Sequence, residues 1–184
     1  SPEKTYRELV KEKNLSLNES GTMESQTIIR DALVDLALEN AGKTKTIHDR
    51  CVLDNLAYTF WLAEQNKLGD DDKKTSDFVA TSILLTKESL KFYDIIFWLP
   101  INPNIPVEQS ENRSNSEQFR EDIDNIFHGI HENYKKNSGL IFDKENQPAF
   151  IVLEGDVDAK IQHIAEYLDH NGDLIETFCS VLGD

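Results

Sequence analysis

Between about Thr22 and Ala41 the apolar positions Ile29, Leu33, Leu36 and Ala37 recur at helical spacing, and Gly42 follows where a helix-ending residue belongs. Ahead of it, residues 2–13 are polar and helix-compatible, with Tyr6, Leu9 and Val10 as an apolar face, and residues 15–21 read as a loop. Residues 51–67 are apolar on most sides, through Val52, Leu53, Leu56, Ala57, Phe60, Trp61 and Leu62. That pattern predicts a helix buried against a sheet. Further helices are predicted over 76–92, 117–135, 157–169 and roughly 173–182, the second of these carrying the stripe Phe119, Ile123, Ile126, Ile130 and Tyr134. Ile95 to Leu99 and Ala149 to Leu153 are continuous apolar runs, the pattern of parallel strands covered on both faces. A shorter strand is expected from Thr44 to His48, and 101–116 is a Pro, Asn and Ser-rich loop long enough to act as a flap.

This alternation predicts an α/β fold, a parallel sheet with helices on both faces, in a single domain over residues 1–184. Three strands make a thin sheet for so much helix, so at least one more strand is expected. The formal charge of −15 excludes a broadly basic nucleic-acid surface but permits a local basic pocket for a phosphate. No apolar run is long enough for a membrane span. Two cysteines far apart, Cys51 and Cys179, form neither a disulfide framework nor a zinc motif, and point to a reducing cytoplasm.

The strongest local chemical signal is Asp49-Arg50, between the short strand and the buried helix. At the carboxyl end of a parallel strand an acid can hold Mg2+ or take a proton from a hydroxyl. An arginine there can grip phosphate oxygens with its fork of donors. The plainer reading is an N-cap aspartate beside a surface arginine. Cys51 lies near a helix start, where a thiol is made somewhat acidic, but no histidine is placed beside it as a base. His128 and His131 stand at i,i+3 without a completing ligand, and Asp70-Asp71-Asp72 lacks the alternation and closing Glu of a calcium loop. Trp61 and Trp98 read as core, and Tyr58 as either core or substrate contact.

The string Asp49-Arg50-Cys51-Val52-Leu53-Asp54-Asn55-Leu56-Ala57-Tyr58 resembles the D-R-x-x-x-[S/D]-x-x-A-Y signature of P-loop small-molecule kinases. It is similar to thymidylate kinases, and more so to ribosylnicotinamide-kinase-like ATPases, a group with many phage nucleotide kinases. The resemblance implies ATP- and Mg2+-dependent phosphoryl transfer to a nucleoside, nucleotide or similar small acceptor. It implies that Asp49 is the magnesium-side or base acid, with Glu3 as a second candidate, and that Arg50 holds the acceptor or its phosphate. Arg7, Gln26, Asp54 and Tyr58 fall at acceptor-binding positions. Arg113 and Arg120 fall in a lid over about 101–122, where arginines neutralise the transferred phosphoryl group. For Arg120 an exposed i,i+4 pair with Asp124 is the competing expectation. Gly155 and Asp156 fall in the loop beside the adenine.

One part of that pattern is absent from residues 1–184. The phosphate-binding loop G-x-x-x-x-G-K-[S/T] does not occur, and Gly42-Lys43-Thr44 fails as a substitute because position 37 is Ala37. The resemblance therefore places that loop, a first strand and a first helix ahead of Ser1. Two other readings stand beside it. One is a phage-type kinase acting on a hydroxymethylated base in DNA, disfavoured by the negative charge. The other is a degenerate, non-catalytic kinase scaffold that works through protein contacts. No membrane partner is expected, and a homodimer is allowed.

Overall fold

The structure is a computed structural model that describes residues 6–43, 45–102, 114 and 116–175. In chain order these residues form α1 (Tyr6–Glu12), a 3-10 turn (Asn18–Ser20), α2 (Met23–Asn40), α3 (Val52–Glu64), α4 (Asp72–Leu90), β1 (Ile95–Trp98), α5 (Glu117–Lys135), β2 (Ala149–Val152) and α6 (Val157–Ala165). This is a helix-rich α/β arrangement around a two-stranded parallel sheet. β1 and β2 pair in register from Ile95 opposite Ala149 to Trp98 opposite Val152, with α5 in the crossover between them.

The starts of α2, α4, α5 and α6 each have a local cause. At α2, Thr22 and Ser25 cap each other: the Ser25 N–H donates to Thr22 Oγ1 at 3.1 Å and the Thr22 N–H to Ser25 Oγ at 2.9 Å. α2 ends at Asn40, and Gly42 follows with φ +77°, the left-handed turn that closes many helices. α4 begins earlier than residue 76 because Asp71 accepts the N–H groups of Lys73 and Lys74, each at 3.1 Å. The acidic 70–72 stretch thus supplies a helix cap. Ser116 caps α5 through the Phe119 N–H, and Asp156 caps α6 through the Ala159 N–H.

α3 is the buried spine. It packs against α2, α4 and α5, so the wall expected to be a sheet is mostly other helices. Val52, Leu53, Leu56 and Ala57 join Ile29 and Leu33 of α2, Ile96 and Trp98 of β1, and Phe150 of β2 in the larger core cluster. Trp61, Leu62, Leu68, Phe78 and Phe119 form a second cluster, and Ile126 of α5 packs against both. His128 and His131 lie against Trp98, with ring centroids at 4.6 and 5.7 Å. They are part of the aromatic core edge, and the described residues include no group of three or more His, Cys, Asp or Glu placed to hold a metal. Among those residues no helix is long and apolar enough to cross a membrane.

Three expectations are corrected. Residues 45–48 are not a strand: Lys45 has φ +59°, Ile47 is 93% exposed, and the sheet consists of β1 and β2 among the described residues. A single alternating stretch with neither a ladder partner nor a buried side has nothing to hold it extended. The sheet is also less covered than its apolar strands imply. Ile96 and Trp98 face the core, whereas Phe97 is half-buried and meets Tyr167 edge-on at 5.8 Å between centroids. Finally, α6 stops at Ala165, and Asp173–Ile175 is not helical; Leu174 instead bridges back to Leu168. The remainder of the helix expected over 173–182 lies outside the described residues.

Thr59 sits inside α3 with no exposed surface, and its Oγ1 meets no hydrogen-bond partner among the described residues. Burying a hydroxyl without a bond costs about 1–3 kcal/mol. Thr59→Val, which exchanges that hydroxyl for a methyl, is therefore expected to raise stability by about 1 kcal/mol, read as a higher urea midpoint at unchanged slope.

Candidate functional site

Asp54 and Tyr58, four residues apart on α3, share one face, and Arg50, two residues ahead of the helix, turns back to bond Asp54 on it. That face meets α2 and the 3-10 turn. Together they line a cleft formed by Leu17, Asn18, Gln26, Ile29, Leu33, Arg50, Asp54, Asn55 and Tyr58. Four residues singled out in the sequence, Gln26, Arg50, Asp54 and Tyr58, are thus brought together. The cleft has an apolar half from Ile29 and Leu33 and a polar half from the α3 side chains. Its free volume is about 20 Å3, room for a single water, so a larger ligand enters only when a side chain moves.

The polar half is tightly bonded. The Asp54 carboxylate accepts the Cys51 N–H at 2.9 Å and Arg50 Nη1 at 3.0 Å. It therefore both closes the start of α3 and holds the arginine. The Arg50 guanidinium also lies 6.0 Å from the centre of the Tyr58 ring. Arg50 has φ +87°, a left-handed backbone that costs a side-chain-bearing residue on the order of 1–2 kcal/mol. Deeper in, Asn55 Nδ2 donates to the Gln26 backbone carbonyl at 3.1 Å and to Gln26 Oε1 at 2.8 Å.

Cys51 behaves opposite to expectation. Burial first, then the Asp54 carboxylate, push its thiol well up, and the N–H groups of Leu53 and Asp54 do not offset them. A protonated thiol is no nucleophile. Burial likewise raises the neighbouring Tyr93 hydroxyl.

The other candidates are scattered. Asp49 is exposed and does not line the cleft. With no strand before it, the argument from the carboxyl end of a strand lapses. Arg120 donates to the Ser114 carbonyl at 3.0 Å, where a pair with Asp124 was the alternative. Asp124 instead accepts the Ile101 N–H at 3.2 Å and approaches His128 at 3.7 Å. Ser114 Oγ in turn bonds Glu19, the neighbour of cleft residue Asn18, so Arg120 fastens the start of α5 to the cleft rim. Gly155, with φ +89°, lines a separate hollow of about 170 Å3 at the carboxyl ends of β1 and β2, together with Pro100, Ile101, Asn102 and Lys160. Asp156 beside it is the α6 cap. Arg7 lies in α1. Glu3 and Arg113 lie outside the described residues, as does most of the stretch assigned to the lid.

Sequence reasoning missed Asn55. The signal was present: Asn55 follows Val52 by three residues and precedes Thr59 by four, a polar residue on the buried face of an apolar helix. Compared with family models, with curated proteins and with solved structures, the chain finds no match.

Proposed function

We propose that the chain carries the acceptor-binding part of a P-loop-kinase-like enzyme that transfers phosphoryl groups to a nucleoside, nucleotide or similar small acceptor. The observation that supports this is the single cleft in which Gln26, Arg50, Asp54 and Tyr58 converge. Arg50 is the anion-gripping group: a phosphate competes with Asp54 for a guanidinium already held at the mouth. Tyr58 and the apolar wall offer a flat surface to a base or sugar, and Gln26 offers an amide.

A kinase cradles nucleotide phosphates in backbone N–H groups of a glycine-rich loop. Residues 1–184 contain no such sequence, and the described residues offer no ligand cluster for a metal. The residues present do not by themselves fit ATP·Mg2+. Asp49, adjacent in sequence to Arg50, is the acid this reading assigns to the magnesium or the acceptor proton. Arg113 and Arg120 remain its lid assignments.

The test uses the protein expressed from its native start, incubated with labelled ATP, Mg2+ and a panel of nucleosides and nucleoside monophosphates. Phosphorylated product is expected, with Asp49→Asn folded but turning over at least about a hundredfold more slowly, the lower range for loss of a proton-transfer group. Absence of product with every acceptor sinks the catalytic reading and favours the non-catalytic scaffold. Turnover unchanged in Asp49→Asn removes that residue from the mechanism.

A further inference from the structure

No residue of α6 is buried. Lys160, His163, Ile164 and Tyr167 form the face it turns to the rest of the protein. All four are half-buried; Lys160 lines the hollow at the strand ends, and Tyr167 meets Phe97 edge-on. The face beside it is apolar and open. Val157, Ile161 and Ala165 stand at i, i+4 and i+8, and all three are exposed, Val157 by 66% and Ile161 by 59%. One residue further round runs a second exposed row, Asp158, Gln162 and Glu166. Among the described residues no cation pairs with Asp158 or Glu166. Lys160, the one Lys or Arg of α6, is on the inward face. A repeated aliphatic row on the open side of a helix marks a surface that another element covers.

We infer that this face of α6 docks a basic amphipathic helix of another protein, whose apolar side chains cover Val157, Ile161 and Ala165 and whose lysines or arginines meet Asp158 and Glu166. The mode is helix against helix, with the flanking charges choosing the partner. Charge separates this occupant from the nearer ones. A second copy packed about a two-fold axis would set the Asp158–Glu166 row against its own duplicate, on a chain of net charge −15. The stretches 103–113 and 176–184 are acidic as well. The first carries Glu108 and Glu111 against Arg113, and the second carries Glu176 and Asp184 with no lysine or arginine. A basic partner gains from the acidic row and is steered to it by the field of the whole chain. The surface lies apart from the acceptor cleft, and the inference does not depend on what that cleft binds.

The probe is a synthetic, dye-labelled helical peptide of leucine and lysine, with leucines at i, i+3, i+4 and i+7. Its control has the same composition, shuffled so that no apolar face remains. Binding to the full chain is read by fluorescence anisotropy at about 0.15 M salt. The patterned peptide is expected to saturate and to bind about tenfold or more tighter than the shuffled one. Ile161→Ser removes an apolar contact and keeps every charge. It is expected to weaken the patterned peptide about fivefold or more, the loss of one well-packed interface side chain, with an unchanged urea midpoint. Asp158→Asn combined with Glu166→Gln is expected to weaken it about twofold or more and to flatten its dependence on salt. Leu84→Ser, which removes an equally exposed leucine from α4, is expected to change nothing. Equal binding of the two peptides, or equal losses in Leu84→Ser and Ile161→Ser, would mean that net charge alone attracts the probe, and overturns the inference. Absence of saturable binding overturns it too. A dimer in sedimentation that Ile161→Ser dissociates would give the face to a second copy, and likewise overturns it.

Discussion

Arg50→Gly is expected to weaken binding of a nucleoside monophosphate about 10- to 150-fold while leaving folding stability within about 1 kcal/mol of the parent. The affinity loss follows from removing a charged donor that contributes about 1.5–3 kcal/mol to a phosphate contact. Stability holds because opposing effects nearly cancel. Glycine relieves the left-handed strain at φ +87°. Against that stand the loss of a solvent-exposed i,i+4 pair with Asp54, about 0.3–0.5 kcal/mol, and glycine's extra freedom in the unfolded chain. Arg50→Ala loses the same contacts without the relief, so it should be less stable than Arg50→Gly by about 1 kcal/mol. This ordering separates a strained ligand-gripping residue from an ordinary surface arginine. An alanine variant as stable as the glycine variant would show that the backbone stores no strain there. Undiminished affinity in both would remove Arg50 from the site.

Leu53→Ala is expected to carry the largest stability cost, about 2–5 kcal/mol, seen as a fall in urea midpoint. Leu53 has no exposed surface, stands in the first turn of α3, and packs in the cluster that joins α2, β1 and β2. For a domain with total stability of about 5–15 kcal/mol that is a large share. The cavity would open beneath Asp54, whose carboxylate closes the same turn. Loosening should therefore reach the cleft, and ligand added in excess should recover part of the lost stability by binding only the folded state. A loss below about 1 kcal/mol would mean that the site collapses to fill the hole, and that α3 is not the spine described above.

What the sequence disclosed divides along physical lines. α5, β1 and β2 carry patterns much stronger than their surroundings: the stripe of α5 and the unbroken apolar runs of the two strands have few alternative placements. The α3 face was legible too, because residues four apart share a side whatever the helix packs against. Arg50 lies ahead of the helix and was grouped with Asp54 and Tyr58 by the resemblance alone, and their meeting with Gln26 depends on how α2 crosses α3. The expected strand at 44–48 failed because a strand is defined by its partner, and sequence alternation over five residues names none. Asp49 lost its proposed setting with it. The raised Cys51 thiol was hidden because its proximity to a helix start is visible in sequence and its burial is not. Asn55 needed both ends of a bond between residues 29 apart.

The most direct measurement is an amide and side-chain NMR titration of the uniformly labelled chain with nucleoside 5′-monophosphates. The account predicts saturable shifts centred on Asn18, Gln26, Arg50, Asp54 and Asn55. Shifts confined to the hollow at Gly155 and Lys160, or none that saturate, would contradict it.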